Sequence, residues 1–291
     1  MTILSIKNLE VKFKHFEGIT TALKKISLNI KHGEKVALVG ESGSGKSVTA
    51  RMILGLLSNP NIKKSGEIFF ENKDLLKESS SQIKKIRGND ISMIFQDPVS
   101  SMNPFFTVRK QMLQALENHN KNYDKKNIDE YFINLLRDVK IEDPQRVLNS
   151  YAFQLSGGMA QRVMISMAMI NKPKLILADE PTTALDVTVQ KTVLKIMKEI
   201  ISQKKMSMLL ISHNLGVVRE FADRIYVIYQ GSILEEGTTE QIFNSPGHIY
   251  TQTLLRAIPK INSSQLPSLN AENINYLSQP IQHLFYKSIS N

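Results

Sequence analysis

The chain has 291 residues, a net charge of +10 and no cysteine. The absence of cysteine excludes disulfides, Cys-ligated zinc and Cys-ligated iron–sulfur clusters. Apolar residues make up 42% of it, which supplies a core and argues against global disorder, and its length suits one large domain or two smaller ones.

The N-terminal stretch MTILSIKNLEVKFKHF reads as strand and is charged, without the apolar region of a secretion signal. No apolar run approaches the roughly 20 residues that span a bilayer, so a soluble or membrane-peripheral protein is expected. EKVALVG is a short apolar run ending in glycine, a buried strand entering a tight turn. SVTARMILGLL follows with Val48, Met52 and Leu56 at helical spacing, and DISMIFQ is another strand. Residues 97–160 break the alternation; MLQALENHNKN and IDEYFINLLRDV are helical in pattern, which suggests an inserted helical subdomain. KLILADE, MSMLLISH and DRIYVIYQG are further strands whose continuous apolar runs suit a parallel sheet covered on both faces. Between the first two, Val189, Val193, Ile196, Met197 and Ile200 share one helical face. Strand and helix alternate, so the fold class is α/β. From about Lys260 the chain is rich in Ser, Asn, Gln and Pro and reads as a short polar extension over 260–291. The lysines are scattered rather than clustered, which fits a solvated surface better than a nucleic-acid footprint.

Gly40, Gly45, Lys46 and Ser47 complete G-x-x-x-x-G-K-[ST] between a strand and a helix. Glycines let the backbone wrap phosphates with N–H groups inward, and the helix start adds its positive dipole end. The loop from Gly40 through Glu41, Ser42, Gly43, Ser44, Gly45 and Lys46 to Ser47 and Val48 is therefore the candidate nucleotide cradle. Lys46 reaches the outer phosphates, and the Ser47 hydroxyl binds magnesium. Asp179 and Glu180 end the strand in LILADE. Asp179 is the candidate metal-side carboxylate, because magnesium takes oxygen ligands. Glu180 is the candidate base for the attacking water. Gln96 and His213 also end strands. Position alone leaves each open between a ligand contact and, respectively, a surface amide or an ordinary hydrogen-bonded histidine. A second glycine-rich turn, LSGGMAQR at 155–162, looks like another anion site at a helix start.

In order, these pieces (phosphate loop, Gln96, LSGGM, LILADEP, TALD and His213) resemble the ATP-binding subunit of ATP-binding-cassette (ABC) transporters over about residues 3–259. The resemblance implies a P-loop NTPase core of RecA-like type, with an N-terminal antiparallel β subdomain and the inserted helical one. It implies an ATPase domain over 1–259 that uses ATP and Mg2+. It makes Ser47, Gln96 and Asp179 magnesium ligands, Glu180 the catalytic base and His213 the γ-phosphate switch. It puts Asp186 in a dimer-contact loop. It also implies an aromatic that stacks on adenine: Phe13, with Phe16 as second choice and core packing as the alternative for either. Two such chains would form a head-to-tail sandwich, so Ser156, Gly157 and Gly158 would serve the partner's ATP.

GESGSGKSVT, MIFQDPVSSMNPFFTV, YAFQLSGGMAQRVMISMAMINKPKLILADEPTTALDVTVQ and HIYTQTLLRAIPKI resemble the dipeptide, oligopeptide and nickel importer branch, as does Met159 after the glycines. The resemblance implies a peripheral subunit on the cytoplasmic face of the cell membrane. Its expected partners are two transmembrane permeases, a second ATPase chain (a paralogue rather than a copy) and, indirectly, an extracytoplasmic substrate-binding protein. Peptide is the first substrate choice and nickel or a metal chelate the second; a non-transport nucleic-acid or translation ATPase is a third reading, and no nucleic-acid partner is expected. Asn214 stands where the family usually has Asp, Ile249 where the branch has proline, and the absence of cysteine means that no iron–sulfur cluster carries over.

Overall fold

Continuous apolar runs of four to six residues form buried strands here, and longer periodic segments form capped helices. The computed structural model describes residues 1–120, 122–183 and 185–257, with the backbone alone at Val187. In chain order the elements are β1 (Thr2–His15), β2 (Gly18–Lys31), β3 (Lys35–Val39), α1 (Lys46–Ile53), β4 (Ile62–Phe70), β5 (Lys73–Asp74), α2 (Ser80–Ile86), β6 (Ile91–Ile94), α3 (Pro98–Ser101), α4 (Val108–Glu117), α5 (Ile128–Asp138), α6 (Pro144–Asn149), α7 (Gly157–Ala168), β7 (Leu175–Asp179), α8 (Val187–Gln203), β8 (Ser207–Ser212), α9 (Leu215–Phe221), β9 (Arg224–Tyr229), β10 (Ser232–Thr238), α10 (Thr239–Asn244) and α11 (Ile249–Arg256). The polar extension expected over 260–291 lies outside the described residues.

The chain divides into two units. The first comprises Met1, 31–34 and 77–210; the second comprises 2–30, 35–76 and the chain from Ile211 onward.

The second unit contains a four-stranded sheet in the order β2-β1-β4-β5. β1 runs antiparallel to β4, from Leu4 opposite Phe70 to Phe13 opposite Ile62. Its register shifts between Lys7 and Glu10, where Asn8 takes a left-handed φ of +48°. One extra residue in a strand reverses which parity faces the core. Accordingly Leu4 and Ile6 are buried before the bulge, and Leu9 and Val11 after it. The same unit carries the run β10-β9-β3, with β3 parallel to β9 from Val36 opposite Arg224 to Val39 opposite Val227. Val36–Val39 and Ile225–Ile228 are all buried, on both strand faces, as their unbroken apolar sequences require. The expected helix through Leu56 is shorter: α1 ends at Ile53, Gly55 turns left-handed at φ +60° and Leu56 is exposed.

In the first unit the strand run is β8-β7-β6, and β6 is parallel to β7. Between β6 and β7 the chain is helical. Side-chain caps start four of these helices: Asp97 for α3, Thr107 for α4, Asp143 for α6 and Ser156 for α7. Each accepts from an otherwise orphaned N–H of the first turn. On α8, Val193, Ile196, Met197 and Ile200 are buried, the face read from their spacing.

Candidate nucleotide site

The phosphate loop belongs to the second unit. It follows the buried strand β3 and ends at the start of α1, whose N-cap is Gly45 at φ +107°. A Cβ at Gly40 would lie 2.1 Å from the Ile228 carbonyl oxygen, and one at Gly45 would lie 2.7 Å from Leu23 Cδ2 and 2.9 Å from the Ala22 carbonyl oxygen. Both glycines are therefore required by the backbone's own geometry. No side chain caps α1, and its first turn carries no acidic residue, so the positive dipole end is open to an anion. The Lys46 ammonium is buried and donates to the carbonyls of Gly40 and Glu41, at 2.8 Å each. Ser44 is buried too, and its hydroxyl has no hydrogen-bond partner. An orphaned hydroxyl and an inward-folded lysine in a glycine loop fit a phosphate group. Glu41, Ser42 and Gly43 form the exposed crest; Ser47 and Val48 are half-buried on the first turn. Phe13, near the end of β1, is half-buried with its ring 6.4 Å from that of His15. Phe16, the second aromatic considered, is fully exposed.

The carboxylates belong to the first unit. β7 closes on Asp179, 6% exposed. Glu180 follows with φ +48°, a left-handed conformation that non-glycine residues seldom hold. Its Oε2 accepts from Gln96 Nε2 at 3.3 Å and from Thr183 Oγ1 at 3.1 Å. The fold thus brings together Gln96 and Glu180, 84 residues apart. Gln96 does not end a strand as expected: β6 stops at Ile94, and Gln96 is exposed on the turn before α3. Asp97 fixes that turn by accepting from the Val99 and Ser100 amides; the Ser100 amide holds the Asp97 carboxyl below its ordinary value.

LSGGM opens α7 in the same unit. Ser156 is the N-cap and accepts from Met159 N–H at 3.3 Å. Ser156 and Gly157 are exposed. Gly158 has a packing role that its motif does not announce: a Cβ there would lie 2.5 Å from Val189 Cγ1 on α8. Gly158→Ala is expected to destabilise the chain by about 1–3 kcal/mol through overpacking. Val189→Ala in the same chain should recover most of that loss, which urea unfolding of the single and double variants would read. Asp186 caps α8 by accepting from Val189 N–H at 3.0 Å.

In the second unit, His213 is exposed just beyond the last residue of β8. Asn214, in place of the usual Asp, caps α9: its Oδ1 accepts from the Gly216 and Val217 amides at 3.0 and 3.3 Å. An amide oxygen serves as a cap as well as a carboxylate does, so the departure leaves the turn after His213 supported. One contact to the loop escapes the motif pattern. The Glu41 N–H donates to the phenol oxygen of Tyr250, at 3.2 Å; only the stretch HIYTQ hinted that this segment matters.

A family model described as "ABC transporter" matches residues 23–183. A second, "Oligopeptide/dipeptide transporter, C-terminal region", matches residues 234–281. The dipeptide transport ATP-binding protein of Bacillus subtilis is 44% identical over 281 residues, covering 96% of this chain and 84% of its own. The peptidoglycan transport ATP-binding protein of Agrobacterium fabrum is 48% identical over 259 residues; the match takes in 89% of this chain but 47% of that longer relative. Among solved structures, a dimeric ATP-binding cassette in a post-hydrolysis state, bound to ADP and Pi, superposes with a TM-score of 0.72 at 30% identity, covering 81% of this chain and 98% of the other. With a wrapped glycine loop and its buried lysine, a carboxylate pair closing a buried strand and a serine-capped LSGGM helix, the chain belongs to the ABC transporter family as a nucleotide-binding ATPase of α/β P-loop fold.

Proposed function

We propose that this chain is the ATPase of a peptide importer, coupling ATP hydrolysis to uptake of di- and oligopeptides through separate permease subunits. The observation that carries the reading is the match of residues 234–281 to the C-terminal region of oligopeptide and dipeptide transporters. It is supported by 44% identity to a protein named for dipeptide transport. No helix among the described residues is long and apolar enough to cross a membrane. That fits a peripheral subunit held on the cytoplasmic face of the cell membrane by two permeases, with a second, paralogous ATPase chain beside it and an extracytoplasmic binding protein delivering substrate. The proposed ATPase domain is 1–259.

Lys46 balances charge on the outer phosphates, and the loop amides hold the rest. Ser47, Gln96 and Asp179 are the oxygen donors for magnesium, which when bound offsets phosphate charge. Glu180 takes up the proton of the attacking water, with Gln96 and Thr183 orienting its carboxylate. His213 contacts the γ-phosphate, and Phe13 stacks on the adenine. Ser156, Gly157 and Gly158 complete the nucleotide site of the second ATPase chain. The test is uptake by the assembled transporter in vesicles. ATP-driven accumulation of a labelled dipeptide or pentapeptide is expected, with no accumulation of nickel; nickel uptake without peptide uptake would overturn the reading.

A further inference from the structure

The phosphate loop is held from the far end of the chain. Its Glu41 amide bonds Tyr250, a residue 3% exposed on the first turn of α11. The Tyr250 ring packs 4.5 Å from that of Tyr229, tilted at 46°. Tyr229 is the last residue of β9, next to the Ile228 carbonyl that Gly40 abuts. Two residues on, the Gly231 N–H donates to the Ser44 carbonyl at 3.0 Å.

The start of α11 is itself fixed by buried polar groups. Glu235, 6% exposed, accepts from the Gly247 and His248 amides at 2.6 and 3.1 Å. His248, 3% exposed, accepts at Nδ1 from Tyr250 N–H at 3.0 Å. Burying a carboxylate and an imidazole is costly unless their bonds are made. Here those bonds place the helix turn that presents a single phenol. Burial also raises the Tyr250 phenol above its ordinary value. The loop it holds has two glycines of positive φ, Gly43 and Gly45. Such a backbone has little stiffness of its own, so its outside contacts set where its amides point.

We propose that Tyr250 is a positioning residue for nucleotide binding, latching the phosphate loop at Glu41 to the segment that marks peptide-transporter ATPases. The proposal rests on the reading of that loop as the ATP site. The test uses Tyr250→Phe, which removes one oxygen, in the full chain assembled with its partners. Affinity is measured with the fluorescent analogue mant-ATP, and KM and kcat with ATP. The Kd and KM are expected to rise about threefold to tenfold, the effect of losing one half-buried hydrogen bond. The kcat should change by less than about twofold, because the latch touches no reacting atom. The thermal midpoint should fall by no more than about 4 °C, the cost of one hydrogen bond in a chain of this size, so the variant remains folded. Wild-type Kd and KM in a folded Tyr250→Phe chain would overturn the latch. Hydrogen exchange reads the same contact without a variant: the Glu41 amide of the nucleotide-free wild type should exchange slowly, and exchange at the rate of an open loop would also overturn it. Failure of the wild type to bind mant-ATP would instead sink the ATPase reading, so the two failures are distinguishable.

Discussion

Glu180→Gln is expected to keep ATP binding and lose turnover, with phosphate release by the assembled transporter falling about 10²- to 10⁴-fold, the usual range for removing a general base. The substitution is nearly isosteric. The new side chain can still meet Gln96 and Thr183, which now bond Glu180 Oε2, so the site's shape persists. What is lost, on the proposed role of Glu180, is the capacity to take a proton, and with it the reaction. ATP should therefore accumulate uncleaved, and the two ATPase chains should stay closed around it. Phosphate release, ATP titration and gel filtration of the paired chains read the three consequences. Hydrolysis at the wild-type rate would remove Glu180 from the mechanism.

The second large effect is expected from a change at Ser156. Ser156 is exposed and caps α7. Ser156→Arg removes the cap, at about 1 kcal/mol, and puts a long cation over the exposed turn that is proposed to meet the partner's nucleotide. In the paired ATPases the loss should fall on the nucleotide held by the partner's phosphate loop, by about 10²-fold or more, as when a donor to transition-state charge is removed. Introducing the change into each chain of the pair in turn, and following hydrolysis at each site, locates the damage. Loss confined to the chain carrying the change would refute action across the pair. The dimeric arrangement of the solved cassette that this chain resembles motivates the experiment.

The glycine loop, the carboxylates of LILADE and the signature were legible because their chemistry fixes residue type and spacing together. The α8 face was legible because period 3.6 survives in sequence. What stayed hidden depends on residues far apart in the chain. The bulge at Asn8 resets the parity of β1, yet a one-residue shift against β4 leaves no mark that β1 shows alone. Leu56 kept helical spacing but fell outside α1, since Gly55 turned the chain first. Gly158 reads as phosphate chemistry alone; the packing role that Val189 adds is visible only in the fold. Asn214 reads as a departure until its amide oxygen is seen capping α9. Tyr250 carries no motif chemistry, and its contact with Glu41 spans 209 positions.

The left-handed backbone of Glu180 has a consequence for how this protein can change. A glutamate at φ +48° holds a conformation that costs about 1 kcal/mol or more and that glycine adopts freely. The substitution most favoured there by the backbone is thus one that removes the proposed base. On the proposed role of Glu180, a sturdier chain and a working one ask for different residues at one position, and this chain carries the one its backbone tolerates less.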